Sequence, residues 1–370
     1  MGRLVLVLVL MTACSTVAPR ASTVTPSPSP AATQQPSPMP SRSDFLAIVG
    51  GPKNSSVSLV ASDGTVVATA AVDLPTFRMH AQMSWTSASR RGLYYLDGSE
   101  VRFLAPDGST GTATRIALGV SEQAGFAVSP DDASIAVSVF SYTPLPDGSY
   151  KGMRLYVEDL NGGGHHVDIF SSTTVAEFPV GWTGGRLILA VSEPRCCSAP
   201  TANPYDATSY HVVDPATGSR LASLCNSGSG PQGPIEPIGA VCYHPNAAHT
   251  YERWDGGSFD APAAPPAPTQ YPNALSPDGT RLAGSFCCNE RKGLMAIAGP
   301  RGAWDWLTEP GSVLGWLDSE HIVIQQIDTP ALSVIELGPS VGTGRLSTIR
   351  FSTQIAPGGS YLGAFPAAVT

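Results

Sequence analysis

The sequence predicts an all-β fold, and two features support this prediction. Only 14% of the 370 residues are charged, whereas the chain contains 38 glycines and 34 prolines. This composition suits short strands joined by tight turns better than long helices. The second feature is a recurring unit in which an apolar segment leads into a turn, as in "FAVSPDDASIAVSVF" (126–140) and "NALSPDGTRLAGSF" (273–286). Because Pro presets φ and Asp and Gly tolerate the other turn positions, each unit is predicted to be a pair of antiparallel strands.

Looser copies of this unit recur along the chain and indicate a repeat architecture. They occur at 83–108, 179–218, 314–338 and 353–365. Successive turn-bearing strands mostly lie about 40–53 residues apart, which is typical of the four-stranded blades of a β-propeller. We therefore predict a single β-propeller of six blades over residues 44–370, with an array of β-sandwiches as the alternative.

The spacing is about twice as long between the turn-bearing strands near residues 182 and 276. This gap holds either a seventh, degenerate blade or an insertion at about 225–270. We favour an irregular insertion, because residues 226–270 are rich in Gly, Pro and Ala and lack the alternation typical of strands. At the ends of the domain, 353–365 is predicted to form the first two strands of the last blade. Strands within 45–72 would then complete that blade and close the ring without an exposed edge.

The two clearest repeats also carry a family resemblance. "SPDGTRLA" (276–283) and "SPDDASIA" (129–136) resemble the WD40-like repeat of TolB-type β-propellers, which is also found in the propeller domain of prolyl oligopeptidases. The resemblance extends more weakly over most of residues 44–370. It implies a propeller fold and a binding role.

The N-terminal region is predicted to direct export and anchoring. Residues 1–13 have one Arg followed by an apolar run that is too short to span a bilayer, as in a secretory signal peptide. "MTACS" (11–15) resembles the lipobox of bacterial lipoproteins, although Met11 stands where that family prefers Leu; an ordinary signal peptide is the alternative. The resemblance implies cleavage before Cys14 and lipidation of its thiol, which would hold the protein on the extracytoplasmic face of the cell membrane. Residues 14–43 are rich in Pro, Ser and Thr and are predicted to form a disordered tether.

Six cysteines remain besides Cys14, and an even number in an exported domain indicates three disulfides with fifteen alternative connectivities. Cys225 and Cys242 stand 17 positions apart. A bond between them would add about 3 kcal/mol on the loop-entropy model. The other four form adjacent pairs after the second strands of their repeats: Cys196 with Cys197, and Cys287 with Cys288. If the insertion hypothesis holds, those repeats are consecutive, and bridges between the pairs are favoured over a bond within each pair.

The segment "CYHPNAAHTYERWD" (242–255) concentrates aromatic and imidazole side chains that make adaptable ligand contacts. The candidate contact residues are Tyr243, His244, His249, Tyr251 and Trp254. The alternative is a surface loop held down by its aromatic side chains. The H-x4-H-x2-E spacing is not that of a zinc-binding helix, and adjacent thiolates cannot easily share one tetrahedral ion. We therefore expect no metal and no cofactor.

The net negative charge of the predicted domain indicates which class of partner is disfavoured. Residues 44–370 contain 18 basic and 29 acidic residues, a net charge of −11, which disfavours binding to nucleic acid.

The predicted fold and the predicted lipid anchor together indicate a binding or scaffolding module for an envelope protein, peptide or glycan. The alternative is a propeller enzyme, such as a glycan lyase, hydrolase or cyclase, with its site in the central channel. An enzyme should have clustered ionisable groups at the channel mouth, whereas a binding module should present an apolar or aromatic patch.

Overall fold

The fold is described from a computed structural model of the chain. All the described residues belong to the compact unit Pro40–Thr370. In this part of the chain, no helix has the length and hydropathy needed to cross a membrane. The described residues are 44–51, 53, 55–73, 84–144, 149–193, 207–226, 238–242, 250–257, 274–286, 294–298, 304–307, 310–327, 329, 331–338 and 349–366.

The regular elements of the described residues are β-strands. The first thirteen are β1 (Leu46–Gly50), β2 (Ser56–Val60), β3 (Val66–Ala71), β4 (Thr86–Ala88), β5 (Leu93–Asp97), β6 (Glu100–Leu104), β7 (Thr110–Arg115), β8 (Glu122–Val128), β9 (Ser134–Tyr142), β10 (Tyr150–Asp159), β11 (Val167–Ser172), β12 (Ala176–Thr183) and β13 (Arg186–Ser192). The others are β14 (Ser209–Val213), β15 (Arg220–Leu224), β16 (Gly239–Cys242), β17 (Thr250–Arg253), β18 (Ala274–Leu275), β19 (Leu282–Phe286), β20 (Leu294–Ala298), β21 (Trp304–Leu307), β22 (Gly311–Trp316), β23 (His321–Gln326), β24 (Leu332–Leu337), β25 (Ile349–Ala356) and β26 (Ser360–Phe365).

Within the described ranges these strands form seven antiparallel sheets. The first sheet has the order β26-β1-β2-β3, and the second, third and fourth are β4-β5-β6-β7, β8-β9-β10-β11 and β12-β13-β14-β15. The fifth consists of β16 and β17 alone, and the sixth and seventh are β18-β19-β20-β21 and β22-β23-β24-β25. The all-β prediction is therefore confirmed, with meandering four-stranded sheets as the repeating unit.

Buried side chains between successive sheets show that the seven sheets close into a ring. One apolar cluster joins the first, second and third sheets, and another joins the third, fourth and fifth. Val241 and Tyr251 of the fifth sheet pack on Leu275 of the sixth. Two further clusters join the sixth to the seventh sheet and the seventh back to the first. Each sheet therefore packs on two neighbours, which is the arrangement of a β-propeller.

The turns at 129–134 and 276–281 have the conformation that the repeats predict. In both, the Ser hydroxyl accepts a hydrogen bond from the amide five residues later, at 2.9 Å from Ser134 N and from Arg281 N. The Asp carboxylate of each turn accepts from the amide two residues on. Asp132 has φ 62° where the other turn has Gly279 at φ 70°, so the fourth position must be left-handed, which Gly adopts without strain and Asp tolerates.

The ring closes where the two ends of the domain meet. β1 pairs antiparallel with β26, so three N-terminal strands and one C-terminal strand share the first sheet. This confirms that N-terminal strands complete a blade, but the prediction that 353–365 supplies two strands of it was wrong. β25 is the outermost strand of the seventh sheet, and the chain crosses to the next sheet through residues 357–359. A Cβ at Gly359 would lie 2.2 Å from the Gly50 carbonyl oxygen, so this crossing depends on glycine.

The favoured interpretation of 225–270 as an irregular insertion also needs correction. β16 and β17 pair over four residues each and form a seventh, degenerate sheet in this region. All four residues of β16 are buried. When both faces of a strand are buried, its sequence has no polar residues alternating with the apolar ones. It therefore lacks the period-two pattern that identifies a half-exposed strand.

Candidate functional site

A cavity of about 270 Å³ lies where the innermost strands of the sheets approach the axis of the ring. It is lined by the C-terminal ends of β8, β12 and β22, by β4 and β26, and by the turn after β18. The lining residues are Ile48, Ser84, Thr86, Ser87, Ala88, Phe126, Ala127, Val128, Pro130, Val180, Gly181, Trp182, Ile188, Pro277, Gly315, Trp316, Leu317, Tyr361, Leu362, Gly363 and Ala364. Residues from six of the seven sheets thus contribute to one site.

Two tryptophans in this wall occupy equivalent positions at the ends of β12 and β22. Trp182 Nε1 donates to the Ala127 carbonyl at 3.2 Å, and Trp316 Nε1 donates to the Ala274 carbonyl at 2.7 Å. In both cases the acceptor belongs to the innermost strand of the preceding sheet. The indoles therefore link neighbouring sheets through their N–H edges, and both residues line the cavity.

Tyr361 of β26 completes the aromatic part of the wall. Its hydroxyl donates to the Trp316 carbonyl at 3.0 Å. A Cβ at Gly315 would lie 2.9 Å from Tyr361 Cε1, so glycine at 315 allows the ring to pack against β22. The aromatic wall is thus held in place by contacts between the seventh and first sheets.

Besides the two indole N–H groups, the polar side-chain groups of the lining residues are all hydroxyls. One belongs to Tyr361, and the others lie on β4 and the residues just before it. Ser87 Oγ accepts a hydrogen bond from Val128 N at 2.9 Å, and Ser84 and Thr86 lie on the same segment. The lining residues named above contain no carboxylate, imidazole, ammonium or guanidinium group. A charged ligand would therefore lose hydration there without gaining a counter-charge from these residues.

The cavity residues were not identified from the sequence. The available signal was a Gly-Trp pair that precedes the turn in two repeats, at 181–182 and 315–316. Aromatic residues in strands most often fill cores, so this pair was not distinguishable from packing. Only the convergence of the innermost strands places these side chains around one space.

The structure describes two of the five predicted contact residues in 242–255. Tyr251 packs between the fifth and sixth sheets at 4% exposure. Trp254 is 3% exposed and packs edge-on against Tyr210, with ring centroids 5.5 Å apart. The position of both side chains in the core argues against contact with a ligand. Tyr243, His244 and His249 lie outside the described residues.

The predicted disulfide between Cys225 and Cys242 is present, with Cα atoms 5.1 Å apart. Glu252 of β17 accepts a hydrogen bond from Cys225 N at 3.0 Å, and its carboxylate lies within 4.8 Å of both sulfurs. Because the sulfurs are bonded to each other, they are not available as thiolate ligands for a metal. The bond connects the end of the fourth sheet to the two-stranded fifth sheet.

The other cysteine predictions concern residues outside the described ones, as does lipidation at Cys14. Cys196 with Cys197 follows β13 of the fourth sheet, and Cys287 with Cys288 follows β19 of the sixth. The fifth sheet intervenes between these two sheets. The premise that the two repeats are consecutive was therefore wrong, and the preference for bridges between the pairs no longer has that support.

Loss of the Cys225–Cys242 bond should lower the free energy of unfolding by about 3 kcal/mol. The bond joins residues 17 positions apart, and without it the unfolded chain gains conformational entropy. The measurement is urea denaturation of the C225A/C242A double variant against the native chain. The single variant C242A serves as a control and should lose a similar amount, since either change breaks the bond. An unchanged midpoint in both would contradict the prediction.

A second, charged crevice of about 420 Å³ lies between the second and third sheets, and His166 is its central titratable group. His166 Nδ1 lies 3.2 Å from Glu158 Oε2, and Nε2 lies 3.3 Å from Asp168 Oδ1. A neutral imidazole has one N–H, so only the cation can donate to both carboxylates. The hydrogen bond to Glu158, followed by that to Asp168, raises the pKa of His166 above its ordinary value. Arg154 in the same crevice pairs with Glu122 at 3.0 Å.

His166 should therefore stabilise the β10–β11 hairpin in acid. A raised folded-state pKa means that this contribution is fully present below about pH 6.5 and is lost as pH rises through the folded value. We expect H166Q to lower the free energy of unfolding by up to about 1 kcal/mol at pH 5 and to change it little at pH 9, because the imidazole is partly exposed. Thermal unfolding across this range is the measurement. H165N is the control: His165 contacts one carboxylate, that of Asp159, and Asn tolerates its positive φ. An H166Q effect that grows with pH would contradict the assignment.

No protein-family model matches the sequence, and no curated protein matches it. Among solved structures, the chain is similar to an oligogalacturonate lyase from Vibrio parahaemolyticus, with 10% identity, a TM-score of 0.46, and coverage of 82% of this chain and 90% of that chain. It is also similar to Hsv2p from Kluyveromyces lactis, with 11% identity, a TM-score of 0.47, and coverage of 85% and 99%. A third similar structure is the C-terminal WD40 domain of Sif2, with 12% identity, a TM-score of 0.40 and 68% coverage of each chain. At these identities and TM-scores the likenesses carry no argument about the activity or the ligand of this chain.

Proposed function

We propose that this chain is an exported lipoprotein whose β-propeller binds an envelope protein, peptide or glycan in its central cavity. The observation that carries the proposal is the cavity itself, in which residues from six sheets form an aromatic and apolar wall with hydroxyl groups on one side. Such concave, mainly apolar sites with a few placed polar groups are typical of ligand-binding pockets.

The proposed location follows from the first 43 residues. A short apolar run, the "MTACS" segment around Cys14 and the Pro-rich stretch after it fit a lipid-anchored domain on the extracytoplasmic face of the membrane. The net charge of −11 over residues 44–370 agrees with a partner other than nucleic acid.

Binding is favoured over turnover by the chemistry of the lining residues. Acid–base catalysis needs positioned ionisable groups, and the wall residues named above offer hydroxyls and aromatic rings instead.

Two short sequence patterns that are known from enzymes do occur in the chain, G-x-S-x-G at 338–342 and G-x-G-x-x-G at 228–233. Each pattern functions at a turn from a strand into a helix. Apart from Gly338, the residues of both patterns lie outside the described ones.

The proposal can be tested by filling the cavity from position 181. Gly181 lines the cavity, and a Cβ built on it meets no atom within 4 Å, so G181L should occupy the ligand space without disturbing the fold. In cells that express the full chain, chemical cross-linking should capture an envelope component with the native protein and lose it with G181L. G358L is the matched control, because Gly358 has equally open surroundings and does not line the cavity.

The same cells test the anchor. C14A should abolish labelling of the protein by radioactive palmitate and release it from the membrane fraction, because the acyl-bearing thiol is lost. Equal capture by G181L and the native protein would exclude the cavity as the binding site. Unchanged palmitate labelling of C14A would exclude lipidation at Cys14.

A further inference from the structure

We infer that the cavity takes a peptide ligand, namely an uncharged segment that inserts one apolar side chain into the axis of the propeller. This inference rests on the proposed function and names the ligand class for the same site. It follows from the side chains of the wall, from the innermost strands, each of which pairs with another strand on one side only, and from the distribution of hydroxyl groups.

The wall favours an apolar side chain. Val180 of the fourth sheet, Leu362 of the first and Ala88 of the second are partly exposed and contribute aliphatic surface. Trp182 and Tyr361 are also partly exposed and add aromatic surface. When an apolar side chain of the ligand contacts this wall, apolar surface of both the ligand and the protein is removed from water. This burial is favourable and needs no charge on the ligand. The volume of about 270 Å³ is just below the range of roughly 300–1,000 Å³ typical of drug-sized ligands, so it suits one large side chain.

The innermost strands favour a ligand with amide groups. β4, β8, β12, β22 and β26 each stand at the end of their sheet's strand order, so each pairs with another strand on one side only. The N–H and C=O groups on the other side of an edge strand can pair with a further peptide backbone. Neighbouring side chains use some of these groups already, as Trp182 does at the Ala127 carbonyl and Ser87 does at the Val128 amide. A peptide backbone carries both the donors and the acceptors that such edges match.

A sugar ring fits this wall less well. A pyranose carries polar groups around most of its circumference, and each one that is buried without a partner is costly. The hydroxyl side chains at this site lie together around β4, at Ser84, Thr86 and Ser87, and the Tyr361 hydroxyl already donates to the protein backbone. The aliphatic surface of Val180 and Leu362 offers a sugar no hydrogen-bonding side chain, whereas it covers an apolar side chain well.

The test uses the full chain in detergent and two probe sets, a phage-displayed library of random dodecapeptides and an array of neutral and acidic oligosaccharides. We expect enrichment of peptides that contain one aromatic or branched aliphatic residue within an uncharged stretch. Their dissociation constants, measured by isothermal titration calorimetry, should rise at least tenfold in G181L and stay unchanged in G358L.

Three outcomes would overturn the inference. If an oligosaccharide binds and G181L abolishes that binding, the ligand class is wrong while the central binding site stands. If the enriched peptides bind G181L as well as the native chain, the cavity is not where they bind. If the enriched peptides depend on Lys, Arg, Asp or Glu at the inserted position, the uncharged character of the site is wrong.

Discussion

Removal of residues 360–370 should abolish cooperative folding of the domain. This deletion takes away β26, which is the innermost strand of the first sheet and the hydrogen-bonding partner of β1. Without it, Ala47, Ile48 and Val49, which are at most 4% exposed, lose their cover on one side, and the seventh sheet loses its packing against Tyr361 and Ala364. Each sheet of a ring depends on both neighbours, so opening it at one point exposes core and an unpaired strand edge together.

The measurement is thermal or urea unfolding followed by near-ultraviolet circular dichroism. Removal of residues 367–370 alone is the control, because it leaves β26 in place and should preserve the transition. A truncated protein lacking 360–370 that still unfolds cooperatively near the native midpoint would mean that the ring does not depend on this strand.

Replacement of Trp316 by Ala should lower the free energy of unfolding by about 3–5 kcal/mol. The indole is 5% exposed and packs between the sixth and seventh sheets. Its N–H donates to the Ala274 carbonyl at 2.7 Å, and Ala274 is fully buried. The substitution therefore removes a large buried side chain and also takes the donor from a buried acceptor.

Trp182 provides a matched comparison for this prediction. It stands at the equivalent position of the fourth sheet and makes the equivalent bond to Ala127, but at 3.2 Å and with a partly exposed ring. W182A should therefore cost clearly less than W316A when both are measured by urea denaturation. W316F should fall between W316A and the native protein, since it keeps most of the packing but loses the donor. If W182A and W316A lower the free energy of unfolding equally, the greater burial of Trp316 does not determine its larger contribution to stability.

The repeat units could be predicted from the sequence because their turns depend on local chemistry. Ser129 and Ser276 cap their own turns, and Asp131 and Asp278 accept bonds from amides two residues away. Interactions of this range are encoded in five or six consecutive residues. The bond between Cys225 and Cys242 spans a longer interval of 17 positions, but it was predictable because both cysteines lie in the same stretch of chain.

The fifth sheet and the end of the ring were misjudged because their signals are not local. The Gly-Ala-Val-Cys segment of β16 is buried throughout, so the polar residues that mark a half-exposed strand are missing. The step from β25 to β26 contains Gly358 and Gly359 and resembles a hairpin turn in sequence. Whether such a turn joins two strands of one sheet or two neighbouring sheets depends on which partner strand is available, and here that partner is β1 from the other end of the domain.

The composition and the repeated turn were sufficient to predict the all-β class and its hairpins, and the short interval between Cys225 and Cys242 was sufficient to predict one disulfide. The N-terminal contribution to ring closure was predicted from the incomplete set of strands at the C-terminal end, although the strands that pair, β1 and β26, lie at opposite ends of the domain. The three-dimensional arrangement was needed for the number of sheets, the burial of Tyr251 and Trp254, and the site formed around Trp182, Trp316 and Tyr361. These features depend on residues that are far apart in the sequence. The cavity is assembled from single residues of strands that are tens to hundreds of positions apart, and only the closing of the ring brings them to a common axis.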